Sequence, residues 1–136
     1  MTARPDLQTS YDAHLRLFRV RWLVDTRGSS LQADYEALLA AAAARHAVRW
    51  LLDVRQRPTP NIEAVNWVTL NWMPRLAALT APGHLCVAYV ISSQRAEALA
   101  LDPELAASVN DALAPNRYYQ MGVFGTEEEA MRWLLV

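Results

Sequence analysis

With 136 residues, 53% of them apolar and 20% charged, the chain is long enough to bury a core as one domain and too apolar to be a disordered tail. Its formal net charge of −1, with arginines scattered singly, excludes the basic stripe that binding to a phosphate backbone demands. Cys86 is the single cysteine, so an intramolecular disulfide is impossible, a thiolate zinc site is disfavoured, and a buried, inert thiol is expected.

The first residues, Met1-Thr2-Ala3-Arg4-Pro5-Asp6, carry no apolar stretch behind the arginine. The longest apolar run, Ala37 to Ala44, stops well short of the ~20 residues of a membrane span. A soluble cytoplasmic protein is expected.

The alternation from His14 to Val24 predicts a strand, with Leu7 to Tyr11 folding back on it across Asp12-Ala13 as an antiparallel hairpin. Its apolar parity slips at Leu17-Phe18, which predicts a bulge or a sharp bend. Ser29 followed by Gln32 has the spacing of a capping box. Leu31, Tyr35, Leu38, Leu39 and Ala42 then share one face of a helix that runs to about Arg45. His46, just past it, suits the negative end of the helix dipole.

Val48 to Val54 is nearly all apolar, as in a central strand buried on both faces. A polar loop from Arg55 to Asn61 follows, in which Thr59 as N-cap and Pro60 as first helical residue would start the next helix. That helix places Ile62, Val65, Thr69, Trp72, Leu76 and Leu79 on one face and Trp67, Leu70 and Pro74 on a second stripe. Pro74 cannot bond the Leu70 carbonyl, so a kink or break is expected near it.

Pro82-Gly83 marks a turn into the strand Leu85 to Ile91, which Ser92-Ser93-Gln94 ends before a short alanine-rich helix. Asp102-Pro103-Glu104 restarts a helix with Leu105, Val109 and Ala112 facing inward, closed by Pro115-Asn116. Tyr119, Met121 and Val123 alternate in a last strand. Thr126 and Glu129 cap the final helix, whose first turn holds three glutamates where the dipole favours them. The pattern is that of a single α/β domain spanning residues 1–136.

The order of these elements, the strand Trp50-Leu51-Leu52-Asp53-Val54 and the ending Val123-Phe124-Gly125-Thr126-Glu127-Glu128-Glu129-Ala130-Met131-Arg132-Trp133-Leu134 resemble the STAS/SpoIIAA-like superfamily over nearly the whole chain. The resemblance implies a mixed sheet of four to five strands with helices packed against it. It also implies a bacterial regulatory role in protein association or small-ligand sensing, without catalysis. Anti-sigma factor antagonists of that family carry an Asp-Ser-Ser-Gly-like phosphorylation motif in the turn after the central strand. Here that turn reads Arg55-Gln56-Arg57-Pro58-Thr59-Pro60-Asn61, with no serine, and only Thr59 could supply a hydroxyl.

Ligands of parallel α/β sheets favour the carboxyl ends of the strands. Those ends gather Asp25 and Arg27, then Asp53, Arg55, Arg57 and Thr59, then Ser92, Ser93, Gln94 and Arg95. The arginines and free helix-start amides would suit a small anion, though ion pairing of Asp25 or Asp53 to a neighbouring arginine explains the same residues. His14, His46 and His84 lack the spacing of zinc ligands, and no cofactor is implied. Of the five tryptophans, Trp22, Trp50, Trp72 and Trp133 fall on core faces.

Trp67, Leu70 and Pro74 form a stripe that would serve a homodimer or protein partner, line an apolar pocket, or simply widen the core. Two functions therefore stand: a non-catalytic association module, or a binder of an apolar or anionic small molecule. A sheltered pocket lined by Trp67, Trp72 and Tyr89 would favour the second.

Overall fold

The computed structural model describes residues 6–81 and 83–136. The stretch Met1 to Pro5, read above for a signal segment, and Pro82 of the expected turn lie outside the described residues.

The strands are β1 (Leu7–Asp12), β2 (Leu17–Trp22), β3 (Arg49–Asp53), β4 (Leu85–Val90) and β5 (Tyr119–Phe124). They lie side by side in chain order in one five-stranded sheet. The β1–β2 pair is antiparallel and the other three pairs are parallel. The sheet is therefore mixed, and the domain is α/β.

Between parallel strands run α1 (Gly28–Arg45), then α2 (Ile62–Trp67), a π-helical stretch (Val68–Trp72) and α3 (Met73–Thr80), then α4 (Ser93–Leu101) and α5 (Pro103–Leu113). Right-handed crossovers through strands taken in sequential order all fall on one face of a sheet. The packing agrees. Phe18, Val20 and Trp22 of β2, Trp50 and Leu52 of β3, and Val87 of β4 share one buried cluster with Leu31, Tyr35, Leu38, Trp72, Met73 and Leu76 of the helices. Helix α6 (Glu127–Leu134) covers the other face, where Leu17, Leu51, Ala88 and Val90 meet Ala130 and Leu134.

This two-sided burial explains the parity slip at Leu17-Phe18. The β1–β2 register is unbroken from Leu7 opposite Trp22 to Asp12 opposite Leu17, so the expected bulge is absent. Leu17 faces α6 and Phe18 faces the crossover helices, and both are buried. Trp50, Leu51, Leu52, Asp53 and Val54 are likewise buried, as the apolar run required of a middle strand. The strand from His14 is shorter than expected: a turn occupies residues 13–16, with Arg16 at φ 52.

Two expected helix starts are corrected. Ser29 makes no cap, because α1 begins a residue earlier, from an extended Arg27 without a side-chain bond and through Gly28 at φ 61. Thr59 is not the N-cap of α2. The loop turns at Arg55-Gln56 and bends at Thr59, and Asn61 is the extended residue whose side chain accepts from the Ala64 amide at 3.0 Å. Elsewhere the expected caps form: Asp102 accepts from the Glu104 and Leu105 amides, and Thr126 from the Glu129 amide.

The Pro74 break takes the form of the π stretch. The Met73 amide reaches back five residues to the Val68 carbonyl, so the chain is widened where the proline ring would clash with Leu70. The extra residue per turn rotates the inner face. Val68, Trp72, Met73, Leu76 and Thr80 are buried, whereas Leu79, expected inside, is 36% exposed. Trp133 is half-buried against Phe124, ring centroids 5.4 Å apart. Cys86 is also half-buried rather than enclosed, and burial pushes its thiol up.

Candidate functional site

At the carboxyl ends of β4 and β5, between the sheet and the crossover helices, lies a cavity of about 70 Å³. Its wall is mostly apolar: Leu31 of α1, Ala64 and Val65 of α2, Val68 of the π stretch, Ile91, Leu99, Val109, Ala112, Met121 and Val123. Five polar side chains also line it: Thr69 of the π stretch, Tyr35, Tyr89, Arg57 and Arg95. An apolar wall with a few convergent polar groups is the general character of small-molecule sites, and π turns recur at such sites.

The tyrosines and arginines each have a reason to be there. Tyr35 projects from the inner face of α1 and Tyr89 from the helix-facing side of β4, so their hydroxyls meet at 2.9 Å. Burial raises both phenols above their ordinary range, Tyr89 strongly, so both stay neutral. Arg57, in the β3–α2 loop, is only 5% exposed. Its Nε donates to the Thr26 carbonyl at 3.0 Å and its guanidinium lies 5.8 Å from the centre of the Trp22 ring. Arg95, in the first turn of α4, donates from Nη1 to the Arg57 carbonyl at 2.8 Å. Burial and then the neighbouring Arg57 charge lower its proton affinity.

An outer recess of about 220 Å³ shares Leu31, Arg57 and Ala64 with the cavity and adds Arg27, Thr59, Pro60, Asn61 and Trp67. Arg57 thus stands between an inner and an outer space.

The residues expected at the strand ends separate into groups. Arg27, Arg57 and Thr59 gather at the outer recess, with Arg27 exposed and bonded twice to Asp25 Oδ2, at 2.6 and 3.1 Å. Ser92 caps α4 through the Arg95 amide at 3.1 Å, and Ser93 is exposed beside it. Asp53 and Arg55 are not part of this site. Asp53 points to the α6 face of the sheet, where it is paired with Arg55 at 2.7 Å and Arg21 at 3.2 Å. Burial alone would raise its carboxyl, but the Arg55 hydrogen bonds and the two arginine charges hold it below the usual range.

Of the second stripe, Trp67 packs edge-on against Tyr35 at 5.9 Å, whereas Leu70 is 77% exposed and Pro74 is exposed next to it. Trp72 is sealed in the core and lines neither space, so of the three aromatic residues expected around a pocket only Tyr89 reaches the cavity and Trp67 the outer recess. The sequence did not single out Tyr35 as a site residue, because its helical spacing reads simply as core.

Among the described residues no cluster of three His, Cys, Asp or Glu side chains is placed to hold a metal ion, and no helix is long and apolar enough to cross a membrane. Against known protein families, curated proteins and solved structures, the chain finds no match.

Proposed function

We propose that this chain is a small-molecule binding module that senses its ligand in the cavity beneath α2, the π stretch and α4. The observation that carries the reading is the cavity itself, a mostly apolar space with five polar side chains at the carboxyl end of a parallel sheet. Two phenols and two guanidiniums can position and hold a ligand, and burial moves both phenols away from proton exchange near neutral pH, which favours binding over turnover. The resemblance to STAS domains allows small-ligand sensing and protein association alike.

The test is a titration of small apolar fragments followed through the methyl resonances of Ile91, Leu99, Val109, Met121 and Val123. Saturable shifts confined to these methyls are expected. Fragments that leave them unmoved at millimolar concentration would remove the proposal.

A second reading, association with a partner or another copy, has one observation in its favour: the exposed Leu70 beside Pro74. Leu70→Ser is the informative change, because Trp67 is packed on Tyr35 and its loss would disturb the core. Sedimentation of the wild type as a monomer at high concentration would remove the homodimer.

A further inference from the structure

We propose that the ligand of this cavity is a small monocarboxylate with an apolar body, its carboxylate held by Arg57, Arg95 and the Tyr35–Tyr89 hydroxyl pair. The inference rests on the binding reading above and adds the chemical class of the ligand. Its basis is an imbalance of hydrogen-bond donors over acceptors.

The imbalance can be followed atom by atom. A guanidinium offers five N–H donors and accepts nothing. Arg57, although nearly enclosed, places only its Nε on an acceptor among the described residues, the Thr26 carbonyl. Arg95 places Nη1 on the Arg57 carbonyl. Among the described residues no carboxylate pairs with either: the ion pairs of Asp25, Glu36, Asp53, Glu127 and Glu128 all go to other arginines. The tyrosines add to the surplus. In a bond between two hydroxyls one proton is shared and the other is left over, and among the described residues no further protein acceptor is hydrogen-bonded to the Tyr35–Tyr89 pair.

Arg57 is nearly enclosed and Arg95 half-buried; Asp25, the one carboxylate whose charge acts on Arg95, spends its Oδ2 on Arg27 and leaves Oδ1 buried without a hydrogen bond among the described residues. An acceptor-only anion in the cavity would take up the spare guanidinium donors directly. A carboxylate has two oxygens with about four lone-pair sites, which match two guanidiniums and a phenol. A phosphate fits less well, because it adds charge and oxygens where the remaining wall, Thr69 apart, is apolar. The size of the ligand is also bounded. At the ~10–15 Å³ needed for one water, the cavity accommodates a body of roughly five to seven heavy atoms. Leu99, Val109, Met121 and Val123 would enclose it.

The experiment compares pentanoate and benzoate with 1-pentanol and benzyl alcohol, binding to the full chain at neutral pH being read by calorimetry and by the same methyl resonances. The acids should bind about ten-fold or more tightly than the matched alcohols. Arg95→Met keeps the apolar stem and should remove that advantage, about ten-fold for the acids and nothing for the alcohols. Arg57→Lys serves as the second variant, keeping the charge while losing the fork, and should also weaken the acids. Circular dichroism confirms that both variants fold. Equal affinities of acids and alcohols, or acid binding indifferent to both variants, would overturn the carboxylate while leaving the cavity reading intact. If neither acids nor alcohols bind, both fall together.

Discussion

The indole of Trp72 donates to the backbone carbonyl of Tyr35 at 2.8 Å while the two rings cross edge to face with centroids 4.8 Å apart. This contact fastens the end of the π stretch to the middle of α1. It thereby fixes the position of Tyr35, whose hydroxyl reaches the cavity. Trp72→Phe would remove the donor and leave a small void, at a cost of about 2–3 kcal/mol. Urea unfolding measures it, and a loss below about 0.5 kcal/mol would show that the fastening is dispensable.

Arg49 plays a comparable part on the opposite face. Its Nε donates to the Leu134 carbonyl at 3.1 Å and its Nη1 to the Leu15 carbonyl at 2.6 Å, tying the last turn of α6 to the β1–β2 turn. A cation at a helix carboxyl end also meets the negative pole of the dipole. Arg49→Met should destabilise the domain by about 1–3 kcal/mol. Amide exchange in the last turn of α6 should quicken before that of β3, and unchanged protection there would count against the clamp.

Asp53 carries the acid sensitivity that the structure makes visible. Its folded-state proton affinity is lowered by Arg55 and Arg21 against the opposing effect of burial. A carboxyl lowered on folding contributes stability that is fully present above its unfolded pKa of about 3.9 and is lost as pH falls through the folded value. Asp53→Asn should therefore lower the urea midpoint at neutral pH and flatten its decline below about pH 5. A variant with an acid limb as steep as the wild type would assign that limb to other groups.

Filling the cavity should separate stability from binding. Ala112, 2% exposed, lines the space from α5. Ala112→Val adds two methyl carbons where there is room, so the melting temperature should hold or rise, equivalent to about 0.5–1 kcal/mol. Fragment binding should fall in the same variant. A drop in melting temperature would mean that the space is already filled in solution.

Legibility in the sequence followed the range of the forces involved. The inner face of α1, the buried run of β3 and the caps at Asp102 and Thr126 depend on neighbours within a few residues, and each could be read directly. Competing local signals were harder to rank. Thr59-Pro60 offers a helix start, but Asn61, itself extended, supplies the cap by accepting from the Ala64 amide. The parity slip in β2 carried real information, but its cause was burial on both faces, which depends on where α6 packs.

The site shows the same division. Arg57 and Arg95 were recognisable as polar residues at strand ends, yet so were Asp53 and Arg55, which the alternation of β3 and its flanking turn send to the other face. By itself the sequence determined the α/β class, the succession of strands and helices, and the apolar faces that drive their packing, because periodicity and capping act over single turns. Only the tertiary structure decided that two tyrosines 54 positions apart meet, and that two arginines from separate crossovers share one cavity with no carboxylate bonded to either among the described residues. Those relations arise from the sequential strand order and the common face of the crossovers, and no local pattern in the chain encodes a distance across the sheet.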